Sequence, residues 1–401
     1  MNVKLIAIAV LLLAGSRPGP LAGQAGTVTG FVFLDANANG KRDTGERGIA
    51  RVVVSNQDAV VTTDSSGSFR LPRGGYGLVF VSVPDGFRST GPFWRTLSDS
   101  SASSVDFALQ TAARPRDFTF VHASDTHIAP ASVDRTRRLG TLVDSIHPSF
   151  LLITGDLVRD ALRVGEAEAT SYYDLFVRET GKFVTPMHTV PGNHENFGIE
   201  RQLSLVSPKH PLYGRRMYRH YLGPDYYSFN FGGVHFVGLN TIDIDDTWYY
   251  GHVDSLQLAW LERDLAKVPA ETPIVTFDHI PFFTSIEALG GYRDAPPAPT
   301  LITINGKTNF RHTVSNAGDV LTVLRKHRHV LALGGHMHVY EHLEYEMEGV
   351  PTRFHQAAAI VAPTEETGFR FKSGVTLYTV RAGEIDNGRF IPLGIENRPT
   401  P

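Results

Sequence analysis

The sequence contains no cysteine. That single absence excludes disulfides, thiolate zinc sites, iron–sulfur clusters and cysteine nucleophiles, so any chemistry here uses oxygen and nitrogen donors. It also lacks an excess of one charge: 38 Lys and Arg stand against 41 Asp and Glu, a formal charge of −3. No overall basic field is available for nucleic acid or anionic lipid. The apolar run Leu5–Ala14 falls short of the roughly 20 residues a membrane-spanning helix needs. What is present is ordinary globular composition, 42% hydrophobic and 20% charged over 401 residues, enough for two to three domains at roughly 150 residues each.

Residues 1–25 combine an early Lys4, the apolar stretch Leu5–Ala14 and a small-residue, proline-containing tail. This is the pattern of a secretory signal peptide, with cleavage expected after Ala25. The expected location is secreted, periplasmic or cell-envelope, with no transmembrane anchor after cleavage.

Residues 27–110 read as short strands punctuated by Gly and Ser turns, which predicts a small β-sandwich. Within them, Asp35, Asn37, Asn39, Asp43 and Glu46 put oxygen donors at positions 1, 3, 5, 9 and 12 of an EF-hand-type calcium loop. Gly40 stands at the sharp turn and the Lys41 carbonyl at position 7. Strands rather than helices flank the loop, and a structural Ca²⁺ is expected there. A Ser-rich stretch, Ser98–Ser104, and Thr111–Arg116 read as the join to the next domain.

From Asp117 the pattern changes to short apolar strands alternating with helical segments, including Arg135–Ile146, Gly165–Thr180, Ser255–Lys267 and Asp319–Lys326. This predicts an α/β layered domain over residues 117–395. The segment Ser285–Gly318 reads as a long surface insertion and a wall of the active-site cleft. Five motifs follow five predicted strands: Asp125-Thr-His127, Gly155-Asp156-Leu-Val-Arg159, Gly192-Asn193-His194-Glu195, Asp278-His279 and Gly335-His336-Met-His338. Each lies past the carboxyl end of its strand, the edge where ligands bind in such sheets. Singly the motifs are weak; five in order supply two Asp, one Asn and four His suited to paired cations.

With these motifs the chain resembles the calcineurin-like metallophosphoesterases over roughly Phe118–Leu393. A small β module before the phosphoesterase is similar to secreted bacterial members. The resemblance implies a four-layer α/β/β/α sandwich preceded by the small all-β domain. It implies that Asp125, His127 and His338 hold one metal, that Asn193, His279 and His336 hold a second, and that Asp156 bridges them. The ions would be two divalent or trivalent transition metals (Mn, Fe or Zn). They would clamp the phosphoryl oxygens and activate a bridging hydroxide for in-line attack on phosphorus. His194 would be the general acid, Arg159 would orient the phosphate, and Glu195 and Asp278 would orient neighbouring imidazoles. The expected function is hydrolysis of a small phosphate mono- or diester. The competing reading is a surface-binding protein whose phosphoesterase domain is inactive.

Overall fold

The computed structural model describes residues 26–97, 102–291, 299–347, 349–366 and 368–394. The expected signal peptide, the start of the Ser-rich stretch, the middle of the 285–318 insertion and the last residue of the 117–395 domain lie outside the described residues.

Residues 27–111 form two sheets. One pairs Ser68–Pro72, Thr27–Leu34, Phe107–Thr111 and Phe87–Ser89, with Ala102–Ser104 added alongside Thr27–Leu34; the other orders Val60–Thr62, Val53–Ser55, Leu78–Ser82 and Trp94–Thr96. Their shared core holds Val28, Val32, Val54, Phe69, Val79, Val81 and Phe107. Part of the Ser-rich stretch is therefore a strand and not a linker: Ala102–Ser104 runs parallel to Thr27–Thr29. The donor-rich loop closes on itself. Asp35 accepts the N–H groups of Asn39 and Gly40, and Glu46 those of Ala36 and Asp43.

The strand Leu78–Ser82 is buried along its whole length, and strand periodicity explains why. Val79 and Val81 face the sandwich core, while Leu78 and Phe80 belong to the core of the following domain. There Phe80 meets Trp260 with ring centroids 6.5 Å apart, and the Trp260 indole donates to Ser55 Oγ at 3.2 Å. Gln57 and Tyr226 exchange two hydrogen bonds across the same junction. The β module is thus packed onto its neighbour through dry, hydrogen-bonded surface.

Two six-stranded sheets build the remainder. The first orders Met187–Val190, Phe150–Thr154, Asp117–Ala123, Gly374–Arg381 and Glu384–Ile385, with Arg389–Pro392 also on Gly374–Arg381. The second orders Tyr227–Phe231, Val234–Gly238, Pro273–Phe277, Arg328–Gly334, Val350–Gln356 and Glu341–Met347. Their inner faces meet through Phe120, Phe150, Phe229 and Phe236; Phe120 and Phe150 stack at 5.5 Å, and Phe236 stands edge-on to both. Alternate residues Leu151 and Ile153 point the other way, to a second core with Leu139, Val143, Tyr173 and Phe176 of the helices Val133–Ile146 and Glu166–Thr180. Ser255–Leu265 and Ala317–Leu324 pack with the second sheet. The result is the four-layer α/β/β/α sandwich. Covering on both faces is why strands such as Phe150–Thr154 are mostly apolar.

The described part of the 285–318 insertion has secondary structure that its composition does not suggest. It carries a short helix, Ile286–Gly290, and a hairpin of Leu301–Ile304 with Lys307–Phe310. Asn305 and Gly306 form the turn of that hairpin. No helix among the described residues is long and apolar enough to cross a membrane.

Candidate metal centre

Parallel strands place the five motifs on one edge. Asp125 follows Asp117–Ala123, Asp156 follows Phe150–Thr154, Asn193 follows Met187–Val190, His279 follows Pro273–Phe277, and His336 and His338 follow Arg328–Gly334. The chain must turn abruptly as it leaves each strand. Asp125, His127, Asp156, His336 and His338 all have φ between 37° and 70°, left-handed backbone that costs a non-glycine residue about 1–3 kcal/mol when the surroundings enforce it. This concentration of strain on the motif residues is what pre-orients their side chains. Two motif glycines have steric reasons. A Cβ on Gly155 (φ 76°) would lie 2.6 Å from the His279 ring, and one on Gly192 would lie 2.1 Å from Asp156 Oδ1.

Two groups of donors result, and they share one residue. Asp125, His127, Asp156 and His338 offer donor atoms within 4.8 Å of one another, as do Asp156, His279 and His336. In the first, His127 Nε2 lies 3.3 Å from His338 Nε2 and 3.5 Å from Asp156 Oδ2, and His338 Nε2 lies 3.1 Å from Asp125 Oδ1. In the second, His279 Nε2 is 3.2 Å from Asp156 Oδ2, 3.2 Å from His336 Nδ1 and 3.3 Å from Asn193 Oδ1. The structure therefore brings together all seven residues singled out from the sequence.

The chemistry of this set fits cations. Asp125 is fully buried, with its Oδ1 3.1 Å from His338 Nε2. His279 Nδ1 donates to the Thr154 carbonyl at 2.7 Å, so its Nε2 lone pair points into the group. Burial pulls the His279 pKa down, yet the carboxylates of Asp156 and Asp125 push it up to about 10. Two buried carboxylates beside these imidazoles make a place that favours positive charge.

His194 stands at the rim. Its backbone N–H donates to Asp156 Oδ1 at 3.0 Å, its Nδ1 meets the Arg159 carbonyl at 2.6 Å, and its Nε2 lies 3.9 Å from Asp156 Oδ2. It belongs to neither donor group. Arg159 differs from expectation: its backbone carbonyl is what reaches the site, while its side chain is exposed. The two residues expected to orient imidazoles also differ. The Glu195 carboxylate accepts the N–H groups of Asp156, Leu157, Val158 and Gly192, so it fixes the strand-end loop. Both Asp278 oxygens are buried without hydrogen-bond partners, and burial raises its pKa well above the usual carboxylate range. An acceptor for an imidazole N–H it is not.

A cleft of 640 Å³ opens beside His336 and His338, walled by Arg163, Trp248, Tyr249, Glu287, Arg311 and His312 among others. His312 pairs with Glu287 at 2.8 Å and lies 5.0 Å, ring to ring, from His336. Glu287, Arg311 and His312 belong to the 285–318 segment expected to wall the cleft, but none of these wall residues was singled out individually from the sequence. They follow no motif, and Arg311 and His312 come from the insertion that only folding brings over the site.

Comparison with known proteins agrees with this architecture. The calcineurin-like phosphoesterase family matches residues 118–340, and the N-terminal domain of calcineurin-like phosphoesterase matches residues 36–112. The chain belongs to the calcineurin-like phosphoesterase family. It is 26% identical to purple acid phosphatase 23 of Arabidopsis thaliana over 299 residues, covering 67% of this chain and 58% of that protein. With purple acid phosphatase 13 of the same plant it shares 40% identity over 74 residues, 18% of this chain and 12% of the other. The chain thus spans little more than half the length of the first relative and a small part of the second. A dimetal phosphatase from Danio rerio superimposes with a TM-score of 0.42 at 15% identity, covering 66% of this chain and 93% of that one.

Proposed function

We propose that this chain is a secreted hydrolase of small phosphate esters that works with two transition-metal ions. The observation that carries the reading is the pair of donor groups sharing Asp156. Asp125, His127 and His338 would hold one ion, Asn193, His279 and His336 the other, and Asp156 both. Bound there, such a pair neutralises phosphoryl oxygens and acidifies water. The chain's own contribution is to hold these donors rigidly and to supply a proton. With Nδ1 facing the Arg159 carbonyl, His194 Nε2 would face the centre, placed to hand a proton to a departing alkoxide. Family membership and the purple acid phosphatase relatives support the same chemistry.

The test is chelation and reloading. Metal-free protein should hydrolyse neither mono- nor bis-(4-nitrophenyl) phosphate, and Mn²⁺, Zn²⁺ or Fe should restore turnover of at least one. A fully loaded protein inert toward every phosphate ester offered would favour the binding-protein reading. Secretion with cleavage after Ala25 rests on the pattern of residues 1–25, and an intact Met1 on exported material would refute the cleavage. We further propose that the loop 35–46 takes a structural Ca²⁺, on the order of its oxygen donors around Gly40. Calcium titration of the whole chain that leaves its melting temperature unchanged would contradict this.

A further inference from the structure

Arg311 is placed unlike the other cations around the cleft. It is only 4% exposed; its guanidinium lies 4.2 Å from the centroid of the Tyr249 ring and 5.0 Å from that of Trp248. Its Nε is buried with no hydrogen-bond partner, and among the described residues no carboxylate pairs with it. Arg163, on the same cleft wall, is already neutralised by Asp160 at 3.2 Å and Glu200 at 2.9 Å. A guanidinium this deeply buried, with its Nε unpartnered and no anion beside it, is costly unless something else completes it. The aromatic faces offset part of that cost, but they accept none of its in-plane N–H bonds. Those bonds match the oxygens of an oxyanion.

Position decides which oxyanion. Arg311 lines the same cleft as His336 and His338, yet among the described residues no hydrogen bond or ion pair links it to any of the seven donors; Tyr249 touches both, with the guanidinium over its ring at 4.2 Å and His336 perpendicular to it at 5.9 Å. The backbone N–H of Arg311 is tied to the Thr300 carbonyl at 2.8 Å, so the residue is anchored to the insertion wall. An ester that reaches from the seven donors past Tyr249 would bring a second group to Arg311.

We propose that Arg311 binds a second phosphate group, carried by the part of the ester that fills the cleft. The preferred substrates are then bisphosphorylated small molecules and not simple monoesters. This rests on the phosphoesterase reading for the word substrate, but the anchor itself is a binding site and can be tested without turnover.

The experiment measures binding of non-hydrolysable alkane bisphosphonates of increasing chain length, and of matched monophosphonates, to metal-loaded wild type, Arg311→Gln and Arg311→Lys by calorimetry. Hydrolysis of the corresponding alkanediol bisphosphates and alkyl monophosphates is measured in parallel. Arg311→Gln should weaken bisphosphonate binding about 10- to 100-fold, the size of one charge-assisted contact, and change monophosphonate binding less than about two-fold. Arg311→Lys should recover part of the loss, because it keeps the charge but not the planar fork. Replacing the second phosphonate by a carboxylate should give weaker, still Arg311-dependent binding. Equal losses for mono- and bisphosphonates would overturn the proposal, placing Arg311 on the transferred phosphoryl group or in the framework; unchanged binding would overturn it too. Arg311-dependent bisphosphonate binding by a chain that hydrolyses nothing would sink the hydrolase reading and leave the anchor standing.

Discussion

Asp156→Asn is expected to abolish the centre while leaving the fold in place. Asp156 is the one residue common to both donor groups, and its Oδ2 stands 3.2 Å from His279 and 3.5 Å from His127. Asparagine keeps the shape and keeps an oxygen to accept the His194 N–H that Asp156 Oδ1 now takes. What it removes is the charge that both metal positions would share. Replacing a residue that merely orients a metal ligand typically costs about 10–100-fold; losing the shared carboxylate should exceed that, with activity down at least about a hundred-fold and metal retention reduced at both positions. Metal analysis after gel filtration, alongside initial rates, checks it. A variant that keeps both ions and more than a tenth of the rate would show that Asp156 is not shared. An unchanged circular dichroism spectrum would separate loss of the centre from loss of the fold.

The second large effect concerns stability. Trp260 is fully buried, on the helix Ser255–Leu265, and touches Phe80 and Ser55 of the β module as well as Tyr226 at 4.9 Å. Trp260→Ala should therefore cost about 3–5 kcal/mol, the range for deleting a large aromatic from a packed core, and should loosen the β module from the sandwich at the same time. Urea unfolding followed by circular dichroism reads the first, and limited proteolysis near residues 112–116 reads the second. A loss under about 1 kcal/mol with unchanged proteolysis would mean the two domains are merely tethered.

Much of this was legible in the sequence because it is encoded locally. A strand with both faces covered is mostly apolar, so the run Phe150–Ile153 announced itself, and the motifs stand where those strands stop. The amphipathic helices were likewise visible in their own residues. Short strands such as Phe87–Ser89 and Trp94–Thr96 were missed because three residues carry no usable period; pairing creates them. Ala102–Ser104 looked like a linker because its composition is a linker's, and only its partner Thr27–Thr29 makes it a strand.

The site divides the same way. The seven donors were readable because each sits inside a short motif at a strand end. Which atoms of Glu195, Arg159 and Asp278 matter was not readable, because a carboxylate that binds four backbone N–H groups has the same letter as one that binds an imidazole. Arg311 was hidden for a third reason. Its surroundings come from Trp248 and Tyr249, far away in sequence, and a lone arginine in a polar insertion normally lies in water. The left-handed backbone at five of the seven donors, finally, is only weakly signalled by residue type: Asp and His are enriched in that conformation, yet most of them adopt others.

The most direct test is a crystal structure of metal-loaded protein with anomalous data collected at the edge of the added metal. Two peaks in contact with Asp156, one beside Asp125, His127 and His338 and the other beside Asn193, His279 and His336, are the predicted result. A single peak, or peaks elsewhere on the molecule with these seven side chains bare under saturating metal, would contradict the two-ion centre on which the proposed hydrolysis depends.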